Sequence, residues 1–90
     1  MTDVSRNTEA SRFELEIDGH TAFVDYRPAD NHLALVHTEV PSALGGQGVG
    51  TRLAKGTFDL LRRSGEKVEL RCDFLRRFVE KNPDYRDLLA

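Results

Sequence analysis

The sequence predicts a mixed α/β (α+β) domain, in which an antiparallel meander is followed by a βαβ unit and C-terminal helices. Two patterns carry this prediction. Over residues 13–40 apolar side chains tend to recur at every second position, which is the period of a half-buried strand. Over residues 49–63 they recur every three or four positions, which is typical of an amphipathic helix. A glycine-rich run at residues 45–51 separates the two patterns.

The first half contains three predicted strands. The first covers residues 13–17 and ends at an Asp18-Gly19 hairpin turn, and the second covers residues 22–27. The third runs from residue 32 to residue 40 and ends at a proline. Because side chains alternate along a strand, the third strand is predicted to present four residues on one face. These are Leu33, Leu35, His37 and Glu39.

After the glycine run the apolar residues change from a strand-like to a helix-like period. A helix over residues 49–63 is predicted to end at Gly65, followed by a short strand near residues 67–72 and a second helical stripe at residues 74–79. Asn82 is expected to cap a last short helix, with a proline at its first position. The third strand, the long helix and the fourth strand should form a parallel βαβ unit with a right-handed crossover. Ligands of such units lie at the carboxyl ends of the strands, where the glycine run, Glu39 and Cys72 are expected to meet.

Composition bounds the class of protein. Ninety residues are enough for one small domain, so we expect a flexible N-terminal arm over residues 1–11 and a single domain over residues 12–90. The net charge of −2 argues against general nucleic-acid binding, which needs a basic face. A single cysteine allows no intramolecular disulfide, and no apolar run approaches a membrane span. We therefore expect a cytoplasmic protein, a monomer or weak homodimer, with no metal and no nucleic-acid or membrane partner.

The glycine run predicts a phosphate site. Glycines let backbone amides approach a ligand, and a helix start adds unpaired N–H groups and the positive end of the helix dipole. The run lacks the Lys-Ser/Thr of a Walker loop, and the chain is too short for a dinucleotide-binding domain. The predicted cofactor-binding residues are Val40, Gly46, Gln47, Gly48, Val49, Gly50 and Thr51.

The run resembles the pyrophosphate loop of the GNAT superfamily of acyl-CoA-dependent N-acetyltransferases, which has the pattern Gln/Arg-x-x-Gly-x-Gly/Ala. Gly48-Val49-Gly50 match its glycine end, whereas Gly45 stands where the family has Gln or Arg. Two further motifs are similar to a short, single-domain branch of GNAT-like proteins. They are His37-Thr38-Glu39-Val40-Pro41 and Asn82-Pro83-Asp84-Tyr85, with a cysteine after the intervening strand. The resemblance implies a minimal acyl-CoA N-acyltransferase fold, with acetyl-CoA as co-substrate and an amine of a small molecule or protein as acceptor.

Three residues are candidates for the chemistry. Cys72 precedes a helix start, which favours the thiolate, and the branch has a cysteine there, so it could relay the acetyl group; it could equally be a small buried apolar residue. Glu39 could be a general base, or it could mark where the strand emerges into solvent. His37 shares its predicted face and is a secondary candidate. Tyr85 could protonate the leaving thiolate, a role often filled by tyrosine in this superfamily, although packing against the core is the simpler expectation.

Two other features leave alternatives open. The pairs Arg62-Arg63 and Arg76-Arg77 are expected to form solvated helix faces, and either pair could also meet the 3′-phosphate of CoA. Acetyl transfer is one function consistent with the sequence. A CoA or acyl-CoA binding module without turnover is a second, because the missing Gln/Arg leaves room for it, and an interaction domain without a ligand is a third.

Overall fold

Helices and a five-stranded sheet make up the structure, a computed structural model that describes residues 3–90. The strands lie in the order β1-β2-β3-β4-β5, so that neighbours in sequence are neighbours in the sheet. The strands are β1 Ser5–Asn7, β2 Arg12–Ile17, β3 His20–Ala29, β4 His32–Glu39 and β5 Val68–Leu70. The α-helices are α1 Val49–Ser64 and α2 Asp73–Lys81, and two 3-10 helices cover Ser42–Leu44 and Pro83–Leu88.

The predicted antiparallel meander and the parallel pairing of the βαβ unit are confirmed. Strands β1 to β4 are antiparallel, and β5 pairs in parallel with β4 after the crossover through α1. The fourth predicted strand is shorter than expected and covers only Val68–Leu70. None of the helices within residues 3–90 is long and apolar enough to cross a membrane.

The N-terminal segment differs from the loose arm predicted for residues 1–11. Residues 5–7 form β1 and pair with β2, and Val4 is only 4% exposed. Arg6 fastens this segment, because its guanidinium lies 2.5 Å from the Glu66 carboxylate and 4.9 Å from the centre of the Tyr26 ring. The expectation is therefore wrong for residues 3–11, since polar side chains bond to distant elements here; residues 1 and 2 lie outside the described part of the chain.

A bulge in β4 changes which residues share a face. Asp25 pairs with His37 whereas Tyr26 pairs with Leu35, so Val36 has no residue opposite it on β3. One extra residue in a strand reverses the alternation beyond it. The prediction that residues 33, 35, 37 and 39 share one face is therefore wrong. Leu35 faces the core, whereas residues 37 and 39 face the opposite side of the sheet.

The core joins one face of the sheet to α1, α2 and the last 3-10 helix. Phe58 of α1 is fully buried and stacks on Phe78 and Tyr85, with ring centres 5.7 and 5.4 Å away. Asn82 occupies the N-cap position of the last 3-10 helix, as predicted, but it makes no side-chain capping bond there, and its side-chain amide donates to the Phe78 carbonyl at 2.8 Å. It therefore completes the C-terminal end of α2, while Pro83 begins the next turn as expected.

Candidate functional site

Strands β4 and β5 separate at their carboxyl ends. Their ladder runs from the pair Leu33–Val68 to the pair Leu35–Leu70, and the Arg71 amide adds a last bond of 2.9 Å to the Leu35 carbonyl. Strand β4 continues to Glu39 while still paired with β3. Within residues 3–90 no strand pairs with the other edge of β4 beyond Leu35. The backbone groups on this edge are open to a ligand.

The glycine loop lies between β4 and α1. Gly46 and Gly48 have φ angles of 77° and 69°, in the left-handed region that only glycine adopts without strain. Gly48 is the N-cap of α1 and makes no side-chain capping bond. The first helical bond is donated by Arg52 to the Gly48 carbonyl at 3.1 Å, so the amides of residues 49–51 precede the hydrogen-bonded ladder.

The loop fits an anion such as a pyrophosphate. The first turn of α1 carries no acidic residue, and a Cβ at Gly46 or Gly48 would meet no atom within 4 Å. The side chain of Gln47 is exposed, whereas that of Val49 is 2% exposed and belongs to the core. Val49 can therefore offer only its amide. Gly50 and Thr51 complete the first turn, and Val40 is partly buried where the chain leaves β4.

Cys72 lies on the helix-covered side of the sheet. It is partly buried against the core and directly precedes α2, and its Sγ is 3.3 Å from the Thr38 hydroxyl. Thr38 pairs with buried Val24, which places it on the core side of β4 beyond the bulge. The thiol is thus at a helix start as predicted, with a hydroxyl neighbour that the sequence did not indicate.

His37 and Glu39 lie on the opposite face of the sheet. His37 Nε2 is 2.9 Å from Glu39 Oε1, and each side chain is 55% exposed. Phe23 contacts the His37 ring edge-on at 6.4 Å, and Asp25 is the residue opposite His37 on β3. His37 also lines a cavity of about 350 Å³. The two side chains form an ionisable pair that an amine can approach from solvent.

The predicted catalytic residues are therefore only partly brought together. All three lie at the carboxyl ends of β4 and β5, as expected, with His37 and Glu39 among the last residues of β4 and Cys72 just after β5, but Cys72 lies on one side of the sheet and the pair His37–Glu39 on the other. The reason is the bulge at Val36. Within residues 3–90 no group of three or more His, Cys, Asp or Glu side chains could hold a metal ion.

Tyr85 packs against the core rather than facing the candidate site. Its ring stacks on Phe58, and its hydroxyl donates to the Asp59 carboxylate at 3.3 Å. Burial, with the negative charge of Asp59 beside it, raises the pKa of Tyr85. A raised pKa and an occupied hydroxyl suit a structural residue.

Sequence reasoning missed the surroundings of two residues at this end of the molecule, Thr38 and Phe74. Thr38 was hidden because the bulge cannot be recognised from alternation alone. Phe74 was predicted to lie on the apolar stripe of the second helix, yet it is 40% exposed, and a Cβ built at Gly50 would lie 2.9 Å from its ring. The signal that could have revealed it is the crowding of an aromatic residue against a glycine-rich helix start.

Comparison with known proteins agrees with this architecture. A family model described as GCN5-related N-acetyl-transferase matches residues 12–88. The solution NMR structure of a GCN5-like protein from Staphylococcus aureus superposes with a TM-score of 0.72 and 29% identity, covering 100% of this chain and 91% of that one.

Curated relatives match a shorter stretch. Protein NATD1 of Xenopus tropicalis is 39% identical over 49 residues, which is 54% of this chain and 45% of the relative. Protein NATD1 of Homo sapiens is also 39% identical over 49 residues, with 43% of its length covered. The matched region thus spans less than half the length of these relatives.

Proposed function

Since the chain belongs to the GCN5-related N-acetyl-transferase family, we propose that it transfers the acetyl group of acetyl-CoA to an amine of a small molecule or protein. The observation that carries the proposal is the junction of three features at one end of the sheet. They are the glycine-rich start of α1, the unpaired edge of β4 and the solvent-facing pair His37–Glu39.

The glycine loop would hold the pyrophosphate. No side chain caps the start of α1 and no acidic residue lies in its first turn, and the dipole of this sixteen-residue helix favours negative charge at its start. The pantetheine arm would then lie along β4 beyond Leu35, where amide groups from residue 36 to Val40 can pair with it. These groups would place the thioester in the gap between β4 and β5.

The acceptor amine would approach from the face that carries His37 and Glu39. The Glu39 carboxylate would remove a proton from the ammonium group, directly or through water, and His37 would orient that carboxylate across their 2.9 Å contact. The neutral nitrogen then attacks the thioester carbonyl, the C–N bond forms, and the C–S bond breaks. As the C–S bond breaks, the attacking nitrogen loses its second proton, and the CoA thiolate takes up this proton and leaves as the thiol.

A relay through Cys72 is the other route to the same product. Its Sγ would take the acetyl group from CoA as a thioester and pass it to the amine in a second step. The sulfur is partly buried beside Thr38, on the side of the sheet away from His37. Direct transfer is favoured because the exposed face offers the amine a base without crossing the sheet.

The test combines an acetyl-transfer assay with mass spectrometry of the intact protein. Purified protein is incubated with acetyl-CoA and a panel of polyamines, amino acids and lysine peptides, and the acetylated products are measured. Glu39→Gln should lose most of the turnover while keeping its affinity for CoA, and Cys72→Ala should retain turnover. An acetyl adduct on the protein after incubation with acetyl-CoA alone, lost in Cys72→Ala, would instead establish the relay.

The absence of Gln or Arg at Gly45 favours one other candidate, a CoA-binding module without turnover. Gly45 has extended backbone angles, and a Cβ there would lie 3.2 Å from the Ser42 carbonyl oxygen. A side chain at this position could have reached the ligand, so its loss removes one contact. Binding of CoA without transfer to any amine of the panel would support this second candidate.

A further inference from the structure

The cavity beside His37 is built from three strands' worth of chain. Residues 10 and 11 of the turn between β1 and β2, residues 25–27 of β3, and Val36 and His37 of β4 line its volume of about 350 Å³. The Ser11 carbonyl accepts a bond of 2.9 Å from the Tyr26 amide, which holds the turn against β3. A cavity of this size is in the range of small-molecule sites.

Asp25 and Arg27 bring two opposite charges to this cavity without neutralising each other. They are two residues apart on β3 and project from the same face, yet within residues 3–90 no ion pair joins them to each other or to another side chain. Arg12 and Glu14 have the same spacing on β2 and do pair, at 2.6 Å. The aspartate is one methylene shorter, and the register on β4 slips directly after it. Both charges are therefore available to a ligand.

The other basic neighbours of Asp25 are engaged elsewhere. Arg12 lies opposite it on β2, but its guanidinium is held by that ion pair and lies over the Phe23 ring at 4.3 Å. His37 lies opposite it on β4, but its Nε2 contacts Glu39. Asp25 is only partly exposed. A partly buried carboxylate without a partner favours a cationic ligand, because such a ligand compensates its lost hydration.

The proposed base lies one diagonal step from this carboxylate. Asp25 is paired with His37 and Phe23 with Glu39, so the register between the two strands is regular here. Diagonal neighbours on antiparallel strands lie about 7–8 Å apart. An ammonium group bound at Asp25 therefore places a second nitrogen at Glu39 when three or four methylene groups extend between them.

We propose that the acceptor is a free diamino acid of the lysine or ornithine type, acetylated on its side-chain amine. Arg27 binds the α-carboxylate through its planar fork, and Asp25 binds the α-ammonium group. The side-chain ammonium loses one proton to Glu39 and, after attack on the thioester, a second proton to the CoA thiolate, which leaves an amide and CoA. The inference rests on the proposed function and narrows its acceptor to one class of small molecule.

The experiment compares four acceptors that share a side-chain amine. They are lysine, cadaverine, which lacks the carboxylate, ε-aminocaproate, which lacks the α-ammonium group, and a lysine blocked at both α groups, which mimics a lysine within a protein. Values of kcat and KM are measured for wild type, Asp25→Asn, Arg27→Gln and the control Arg63→Gln. Arg63 is an exposed cation without an ion pair in the described residues, in the last turn of α1. Tandem mass spectrometry locates the acetyl group, and thermal unfolding shows that each variant is folded.

Wild type should acetylate the side-chain nitrogen of lysine, with kcat/KM at least about tenfold above the three analogues, because charge-assisted contacts hold both α groups. Arg27→Gln should bring the values for lysine and cadaverine together, and Asp25→Asn those for lysine and ε-aminocaproate. Both losses should lie in KM more than in kcat, since neither side chain touches the reacting atoms. Arg63→Gln should keep the full preference.

Several outcomes would contradict the inference. Equal kcat/KM of wild type for lysine and the analogues would overturn it and leave the proposed function standing. A preference for the blocked lysine would indicate a protein acceptor, and acetylation of the α-nitrogen would reverse the orientation. A lysine preference that persists in both variants would place the α groups elsewhere. If wild type acetylates no amine, the proposed function itself fails, and this inference fails with it.

Discussion

Replacement of Gly48 by alanine separates the glycine loop's role in ligand binding from its role in the fold. Gly48 has a φ of 69° at the start of α1, and Gly65 has a φ of 77° at the end of the same helix. A Cβ at either position would meet no atom within 4 Å. Gly65→Ala is therefore a matched control, with the same backbone strain and the same open space far from the loop.

The cost to the fold should be small and similar in both variants. A non-glycine residue in the left-handed region costs about 1–2 kcal/mol, and the reduced freedom of the unfolded chain returns about 0.4–1 kcal/mol. Each variant should thus lose about 1 kcal/mol, which lowers Tm by about 4–8 °C in a domain of this size. A protein with a typical stability of about 5 kcal/mol or more stays more than roughly 99% folded after such a loss.

Affinity for CoA should distinguish the two variants. Gly48→Ala places a methyl group beside the open amides and favours a different backbone angle, so we expect CoA binding at least about tenfold weaker, whereas Gly65→Ala should bind as wild type does. Urea unfolding measures stability and calorimetry measures affinity. Unchanged affinity in folded Gly48→Ala would refute the loop as the cofactor site, and equal weakening in both variants would assign the effect to stability.

Three further predictions concern stability and pH. The Arg6 guanidinium lowers the pKa of Glu66, so the ionised carboxylate stabilises the folded state. This stabilisation is complete above the unfolded pKa near 4.5 and is lost as the pH falls through the lower folded value, and Glu66→Gln should flatten that part of the curve of unfolding free energy against pH. A hydrogen bond to Glu69 raises the pKa of His32, so the protonated imidazole stabilises the folded state. This stabilisation is complete below the unfolded pKa of 6.5 and is lost as the pH rises through the higher folded value, and His32→Asn should flatten the curve of unfolding free energy over that pH range. Tyr85→Phe should keep the aromatic stack, cost less than about 1.5 kcal/mol, and leave acetyl transfer unchanged.

Each of these has a clear contrary result. Urea midpoints are measured between pH 3 and pH 8. If the midpoint of Glu66→Gln falls with decreasing pH as steeply as that of wild type, the charge of Arg6 contributes nothing to stability. An unaltered slope above pH 6.5 in His32→Asn would show that the contact between His32 and Glu69 adds nothing measurable to stability. A large drop in turnover for Tyr85→Phe, with stability retained, would return the tyrosine to the reaction.

Most of the fold follows from local patterns. Alternation defined β2, β3 and β4, and the apolar stripe with Gly65 as C-cap defined α1 within one residue of its observed end. The glycine loop was predictable because strand, glycines and helix follow one another directly in the chain. Family membership is confirmed by the match over residues 12–88, whereas the branch with the His-Thr-Glu-Val-Pro motif stays a prediction.

Long-range features could not be predicted in the same way. Strand β1 depends on Arg6 reaching Glu66, sixty positions later, and a polar segment gives no local sign of such a partner. The bulge depends on which β3 residue pairs with which β4 residue, and a single sequence does not contain that register. The contact of Thr38 with Cys72 follows from both the bulge and the parallel pairing, so it lay beyond sequence reasoning.

The bulge at Val36 also has a consequence for how this protein can change. Residues 33 and 35 are committed to the interior, whereas residues 37 and 39 face solvent and contribute little to folding. Without the extra residue, side chains 37 and 39 would point into the core, and every substitution there would be tested first for packing. With the bulge, positions 37 and 39 can be substituted at little cost in stability. A library randomised at His37 and Glu39 should therefore remain largely folded while its reactivity varies.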